Sequence, residues 1–194
     1  MPLLTDLLAT NTSNITSNTA AVASAGGMAL LTTATLSNTT TNSYTLTSGY
    51  HSYLVVIDSF IPTANANLNL KIKSSSNNPP FRYAGTYVED NSSTIYSHRS
   101  TNNGNGIQLT PYTIASTSTN ADFTGWSGAF HIFGAHNTSM TYVNYKGFYK
   151  HDGNSGMSVD GAGRANTAQV TDIVDISFNV NTLSGSVAVY GIKE

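Results

Sequence analysis

Acid–base and metal chemistry in this chain must come from five histidines and ten carboxylates, since it contains no cysteine. His131 and His136 stand five residues apart, on neither one helical face nor, with Gly134 between them, one simple strand face. His51, His98 and His151 lack partners at metal-ligand spacing and read as surface or turn residues. Asp152 beside His151 belongs to a turn with Gly153. Asp172 and Asp175 fall on opposite strand parity, and Glu89-Asp90 abuts a polar loop, so no acid is set against a base or nucleophile. Asn103-Gly104-Asn105-Gly106 and Gly161-Ala162-Gly163 lack the Lys-Ser/Thr or strand–helix context of a phosphate loop. These patterns predict a protein without enzymatic activity, cofactor or bound metal.

Aromatic side chains offer a different chemistry. Tyr142, Tyr145, Phe148 and Tyr149 surround Lys146 and Lys150, and Trp126 lies in a glycine-containing segment before Phe130. Exposed rings of this kind stack on sugars while Asn or Asp bind the hydroxyls. Tyr and Trp are equally favoured in a core or a subunit interface. Trp126, Tyr142, Tyr145 and Tyr149 are therefore the candidates for a glycan contact or an interface.

Composition limits the partners. Charged residues make up 9% of the chain, against about 25% in typical soluble domains, and Ser, Thr, Asn and Gly take their place. With a net charge of -2 and Lys and Arg scattered along the sequence, there is no electrostatic drive towards direct nucleic-acid contact. No stretch approaches the roughly 20 apolar residues that span a bilayer, so membrane insertion is not expected. The start, Met1-Pro2-Leu3-Leu4-Thr5-Asp6, lacks the basic region of a secretory signal. Sequons such as Asn11-Thr12-Ser13 and Asn91-Ser92-Ser93 arise by composition. Solubility through hydroxyls and amides suits an extracellular adhesin or a particle surface better than a cytoplasmic enzyme.

The elements that must position these groups divide into two parts. In residues 1–27, Leu4, Leu8, Asn11, Ile15, Asn18 and Val22 are spaced 4, 3, 4, 3 and 4. That is three heptads of a coiled-coil seam, in which core Asn fixes register. Thr, Ser and Asn are poor helix formers, so a flexible tail or an arm ordered by a neighbour fits the same residues. The segment is expected to anchor the domain, as a trimeric stalk or as an arm, with Gly26-Gly27 as the joint.

Residues 28–194 read as strands. Period-two alternation runs through Tyr53 to Ile57, Leu68 to Ile72, Phe81 to Val88 and Met140 to Tyr149. Val174 to Phe178 and Val187 to Ile192, joined by Asn181 to Gly185, predict a closing hairpin with Tyr53 to Ile57 beside it. Met28 to Leu36 forms a first strand, Ser37 to Asn42 a turn, residues 89–105 mostly loop, and Gly161 to Gly163 a loop. Eight or more short strands at roughly ten-residue intervals predict an all-β antiparallel sandwich or jelly roll.

The order of these segments resembles a family of small β-sandwich virion proteins of tailed bacteriophages. The matching residues are Leu30 to Thr35, Tyr53 to Pro62, Leu68 to Ile72, Phe81 to Tyr83, Ile173 to Phe178 and Val187 to Lys193. The terminal Val189-Tyr190-Gly191-Ile192-Lys193 is the most distinctive. The resemblance implies a virion component: a capsid decoration (cement) or fibre protein contacting the major capsid protein or other virion proteins. Self-association, with a trimer as the specific form, is expected as well. The alternative within the same resemblance is a tail adhesin that binds host-surface glycans.

Overall fold

The computed structural model of the chain describes residues 27–75, 78–104, 106–116, 125–152, 155–179 and 182–193. The expectations for Leu4, Leu8, Asn11, Ile15, Asn18 and Val22 lie outside the described residues. The strands, in chain order, are β1 (Met28–Thr39), β2 (Thr41–Thr45), β3 (Ser52–Pro62), β4 (Leu68–Lys73), β5 (Phe81–Glu89) and β6 (Tyr96–Asn103). They continue as β7 (Ile107–Gln108), β8 (Trp126–Phe133), β9 (Tyr142–Lys150), β10 (Gly156–Ala165), β11 (Ile173–Phe178) and β12 (Leu183–Ile192).

Two antiparallel sheets pack face to face as the expected all-β sandwich. The large sheet has eight strands in the order β1-β12-β3-β8-β9-β10-β5-β6, and the small one four, β2-β11-β4-β7. Each strand of the small sheet is visited singly, between strands of the large one, so every pairing within it is nonlocal. Period-two alternation makes this possible, because each strand presents one apolar face to the facing sheet. Tyr53, Val55 and Ile57 of β3 meet Leu68, Leu70 and Ile72 of β4 and Val174 and Ile176 of β11 in one buried core.

The closing hairpin is the largest correction. β11 and β12 are strands as expected, and β12 does lie beside β3. They do not pair with each other: β11 lies between β2 and β4, and β12 between β1 and β3. Val174, Ile176 and Phe178 and then Leu183, Val187 and Val189 are all buried. Facing each other across the core satisfies both apolar rows, whereas side-by-side pairing would use only one interior. Ser37 to Asn42 is likewise no simple turn. Pairing continues to Thr39, and a register shift between Leu36 and Thr39, with Asn38 at φ 52°, carries the chain from one sheet to the other.

Gly161-Ala162-Gly163 is not a loop but the middle of β10, paired on both sides. The glycines are there for space. A Cβ on Gly161 would stand 2.5 Å from the Tyr145 ring, and one on Gly163 would stand 2.7 Å from Ile107 of the facing sheet. Gly147 serves the same purpose in β9: with its cross-strand partner Gly128 it forms the notch that receives the Trp126 indole. The polar stretch expected to be loop contains β6, an edge strand on β5. An edge tolerates polar side chains because it needs only one ladder partner. Tyr96 stacks on Tyr87 at 5.1 Å to begin it.

Candidate functional surface

The small sheet covers one face of the large one, and among the described residues no other element covers the opposite, open face. Because register is set across all eight strands, outward residues form continuous rows. One row runs Leu30, Tyr190, Leu54, His131, Asn144, Ala162, Ala84 and Arg99. The next runs Met28, Ile192, Ser52, Phe133, Tyr142, Arg164 and Arg82. Each row thus changes from aliphatic at the β1 edge to cationic towards β6.

At the β1–β12–β3 end, Met28 and Leu30 are 58% and 57% exposed, and Val56 sits among Ala188, Thr33 and Ser186 around a shallow depression. Asp58 is the one charged residue lining it. Near the middle, His131 bonds Ser52 Oγ through Nε2 at 3.0 Å and lies against the Phe133 ring. Burial, with His51 nearby, lowers its pKa. Lys146 and Asp160 face each other there as cross-strand partners.

At the far end lies a groove of about 380 Å³ lined by Arg82, Arg99, Arg164, Tyr142, Ala84, Ala162 and Gly163 among others. These are all three arginines of the chain. The register brings them together: Arg82 opposes Arg164, Arg164 opposes Tyr142, Ala84 opposes Ala162, and Arg99 opposes Ala84. Arg82 Nε donates to the Thr101 carbonyl at 3.1 Å, and Arg164 Nη1 approaches Met140 Sδ at 3.0 Å. Among the described residues no carboxylate lines the groove. The ion pairs among the described residues, Lys73–Asp175 at 2.5 Å and His151–Asp152 at 3.4 Å, involve none of the three guanidiniums.

The aromatic candidates separate. Tyr142 is 48% exposed at the groove wall, whereas Trp126, Tyr145 and Tyr149 are core residues at 0%, 2% and 0%. Strand parity explains the division, since Tyr145 and Tyr149 share the inward face of β9 with Val143 and Gly147. These three offer no face to a sugar. Burial pushes the phenols of Tyr145 and Tyr149 well up. Tyr145 shares a hydrogen bond with His98 Nε2 at 3.2 Å, and that nitrogen also meets the Gln108 carbonyl at 3.2 Å. His98 is therefore not a turn residue but an inward group of β6, and burial lowers its pKa. Burial alone would raise Asp152, but the Thr113 hydroxyl at 2.6 Å and His151 outweigh it and hold the carboxyl below its usual range.

Among the described residues no group of three or more His, Asp or Glu side chains is placed to hold a metal ion. Sequence reasoning missed the arginines because they are dispersed at 82, 99 and 164. One local signal was present: Phe81, Tyr83 and Tyr87 share parity, which turns Arg82 outward. No protein-family model matches the chain, and no curated protein matches it in sequence.

Proposed function

We propose that this chain is a non-enzymatic structural protein of a bacteriophage virion, a capsid decoration or fibre protein that docks on the major capsid protein or another virion protein and associates with copies of itself. The observation that carries the reading is the aliphatic end of the open sheet face, with Met28, Leu30 and Val56 exposed side by side with Leu54 and Tyr190. A contiguous apolar patch on an otherwise amide- and hydroxyl-rich surface favours a protein contact over water. Three of the six segments that carry the phage resemblance, Leu30 to Thr35, Tyr53 to Pro62 and Val187 to Lys193, fall on the neighbouring strands β1, β3 and β12 that build this patch. Mass spectrometry of purified particles tests the assignment. The chain is expected in the particle, and a Leu30→Asp/Val56→Asp variant is expected to drop out of it while keeping its β circular dichroism spectrum. Absence of the wild-type chain, or normal incorporation of the variant, overturns the reading.

A second reading, a tail adhesin for host-surface glycans, is favoured by one observation: the arginine groove with the exposed Tyr142 at its wall. Loss of particle adsorption to host cells after removal of this chain tests it, and unchanged adsorption overturns it.

A further inference from the structure

We propose that the groove between β9, β10, β5 and β6 is a binding site for an acidic sugar, a mono- or disaccharide unit bearing a carboxylate or sulfate, held by Arg82, Arg99 and Arg164 with its ring against Tyr142. The inference rests on the adhesin reading for its biological purpose, but its chemistry stands on the groove alone.

Three observations converge. The first is electrostatic. Arg82 and Arg164 are direct cross-strand partners, and Arg99 reaches the same groove from β6. Like charges placed opposite one another destabilise a sheet. A chain with so few charged groups has nonetheless brought all its guanidiniums to one place without a lining carboxylate. A bound anion supplies the missing counter-charge. The second is orientation. Arg82 spends Nε on the Thr101 carbonyl and Arg164 spends Nη1 on Met140. Each keeps its remaining N–H donors for a ligand, on a plane already turned by the protein. Guanidinium donors in a fixed fork match a carboxylate or sulfate.

The third is shape. Ala84, Ala162 and Gly163 make a low floor, and Tyr142 stands beside it as an exposed aromatic wall. A planar apolar wall next to fixed donors suits a sugar ring, whose C–H face stacks while its acid is clamped. The volume of about 380 Å³ is at the small end of ligand sites, roughly 300–1,000 Å³, and so takes one or two rings rather than a polymer. Nucleic acid is the other polyanion to consider. It calls for a basic track along a backbone, and the charged groups beyond the groove on this face include two carboxylates, Asp58 and Asp160, the latter opposite Lys146.

Amide chemical-shift titration of the full chain tests the site. The probes are digalacturonate, a sulfated chondroitin disaccharide, neutral digalactose, inorganic sulfate and a single-stranded deoxyribonucleotide dodecamer. The acidic disaccharides are expected to shift the amides of Arg82, Ala84, Ala162 and Gly163, with weaker binding as salt rises. Arg82→Gln and Arg164→Gln are each expected to lower affinity at least tenfold, and Lys146→Gln to leave it unchanged. Tyr142→Ala is expected to weaken the disaccharides but not inorganic sulfate. The spectrum of each variant without ligand shows whether its fold is intact.

Equal binding of digalactose overturns the requirement for an acid. Sulfate binding as tight as the disaccharides overturns the role of the sugar ring. Tighter binding of the dodecamer overturns the ligand class, and shifts that avoid the groove overturn the site. The biological reading is separated by adsorption of particles carrying the same variants. Acidic-sugar binding at the groove with arginine-independent adsorption removes the adhesin role and keeps the site. Adsorption that needs the chain but not the arginines keeps the adhesin and removes this groove from it.

Discussion

Substituting Gly147 by alanine tests the packing logic of the sandwich with the smallest available change. A Cβ on Gly147 would lie 2.2 Å from Trp126 Cζ2 and 2.3 Å from Cε2, far inside the 3.4 Å at which ordinary contact begins. The indole has little room to retreat, because it is fully buried; Gly128, the other half of the notch, also sits close enough that its own Cβ would meet the ring at 2.8 Å. Overpacking of this kind costs about 1–3 kcal/mol, and a clash of one methyl with a locked ring belongs at the upper end. Against this, alanine lowers the entropy of the unfolded chain and recovers about 0.5–1 kcal/mol. A net loss of about 2 kcal/mol is therefore expected from urea unfolding, read as a lower midpoint with unchanged slope. Trp126→Leu alone is expected to cost about 3 kcal/mol through the cavity it leaves. In that background the clash is gone, so adding Gly147→Ala is expected to cost nothing or to stabilise slightly. The coupling energy of the cycle is then about 2 kcal/mol. Equal effects of Gly147→Ala in both backgrounds would refute the notch.

Other consequences follow from buried ionisable groups. His98 and His131 have folded-state pKa values below the ordinary 6.5, chiefly through burial, so the unfolded chain binds more protons. Their contribution to stability is full above pH 6.5 and is lost as pH falls below it. Urea midpoints measured against pH check this, and His98→Gln is expected to reduce the slope. Tyr44, Tyr53 and Tyr87 are each pushed up to about 12 by burial, the last also by Tyr112. Here the folded state holds its protons longer, so stability is flat below pH 10 and falls as pH rises through 10 towards 12, tracked by tyrosinate absorbance and circular dichroism together. Asp175, 5% exposed in the central strand of the small sheet, accepts from the Ser43 hydroxyl at 2.6 Å and pairs with Lys73 at 2.5 Å. Asp175→Ala is expected to cost about 1–3 kcal/mol in the same unfolding assay, as partners lose their acceptor.

Much of the fold was legible because alternation reports directly which side chains face inward. Tyr53, Val55 and Ile57, Leu68, Leu70 and Ile72, and Phe81, Tyr83 and Tyr87 are buried on the parity their spacing indicates. Alternation does not say which sheet a strand joins. The pairs Val174 to Phe178 and Leu183 to Val189 look the same whether they lie side by side or across a core, and only the facing strands decide. Glycine misled for a related reason. Gly161 and Gly163 carry the composition of a turn, yet their purpose is clearance for Tyr145 and Ile107, residues far away in sequence. The candidate site was legible in one member, Tyr142, whose parity opposes Tyr145. The arginines became a site only through register, since Arg164 directly follows Gly161 to Gly163, read as a loop, and Arg99 lies in residues 89–105, read as mostly loop.

We propose that the open face of the eight-stranded sheet is the working surface, aliphatic at β1 for assembly and cationic towards β6 for a ligand. Under the proposed function, cryo-electron microscopy of the purified virion tests it most directly. Density for a virion neighbour or a second copy is expected against Met28, Leu30 and Val56, with Arg82, Arg99 and Arg164 open to solvent. A sandwich docked through its four-stranded sheet, leaving the aliphatic end of the open face uncovered, would contradict it.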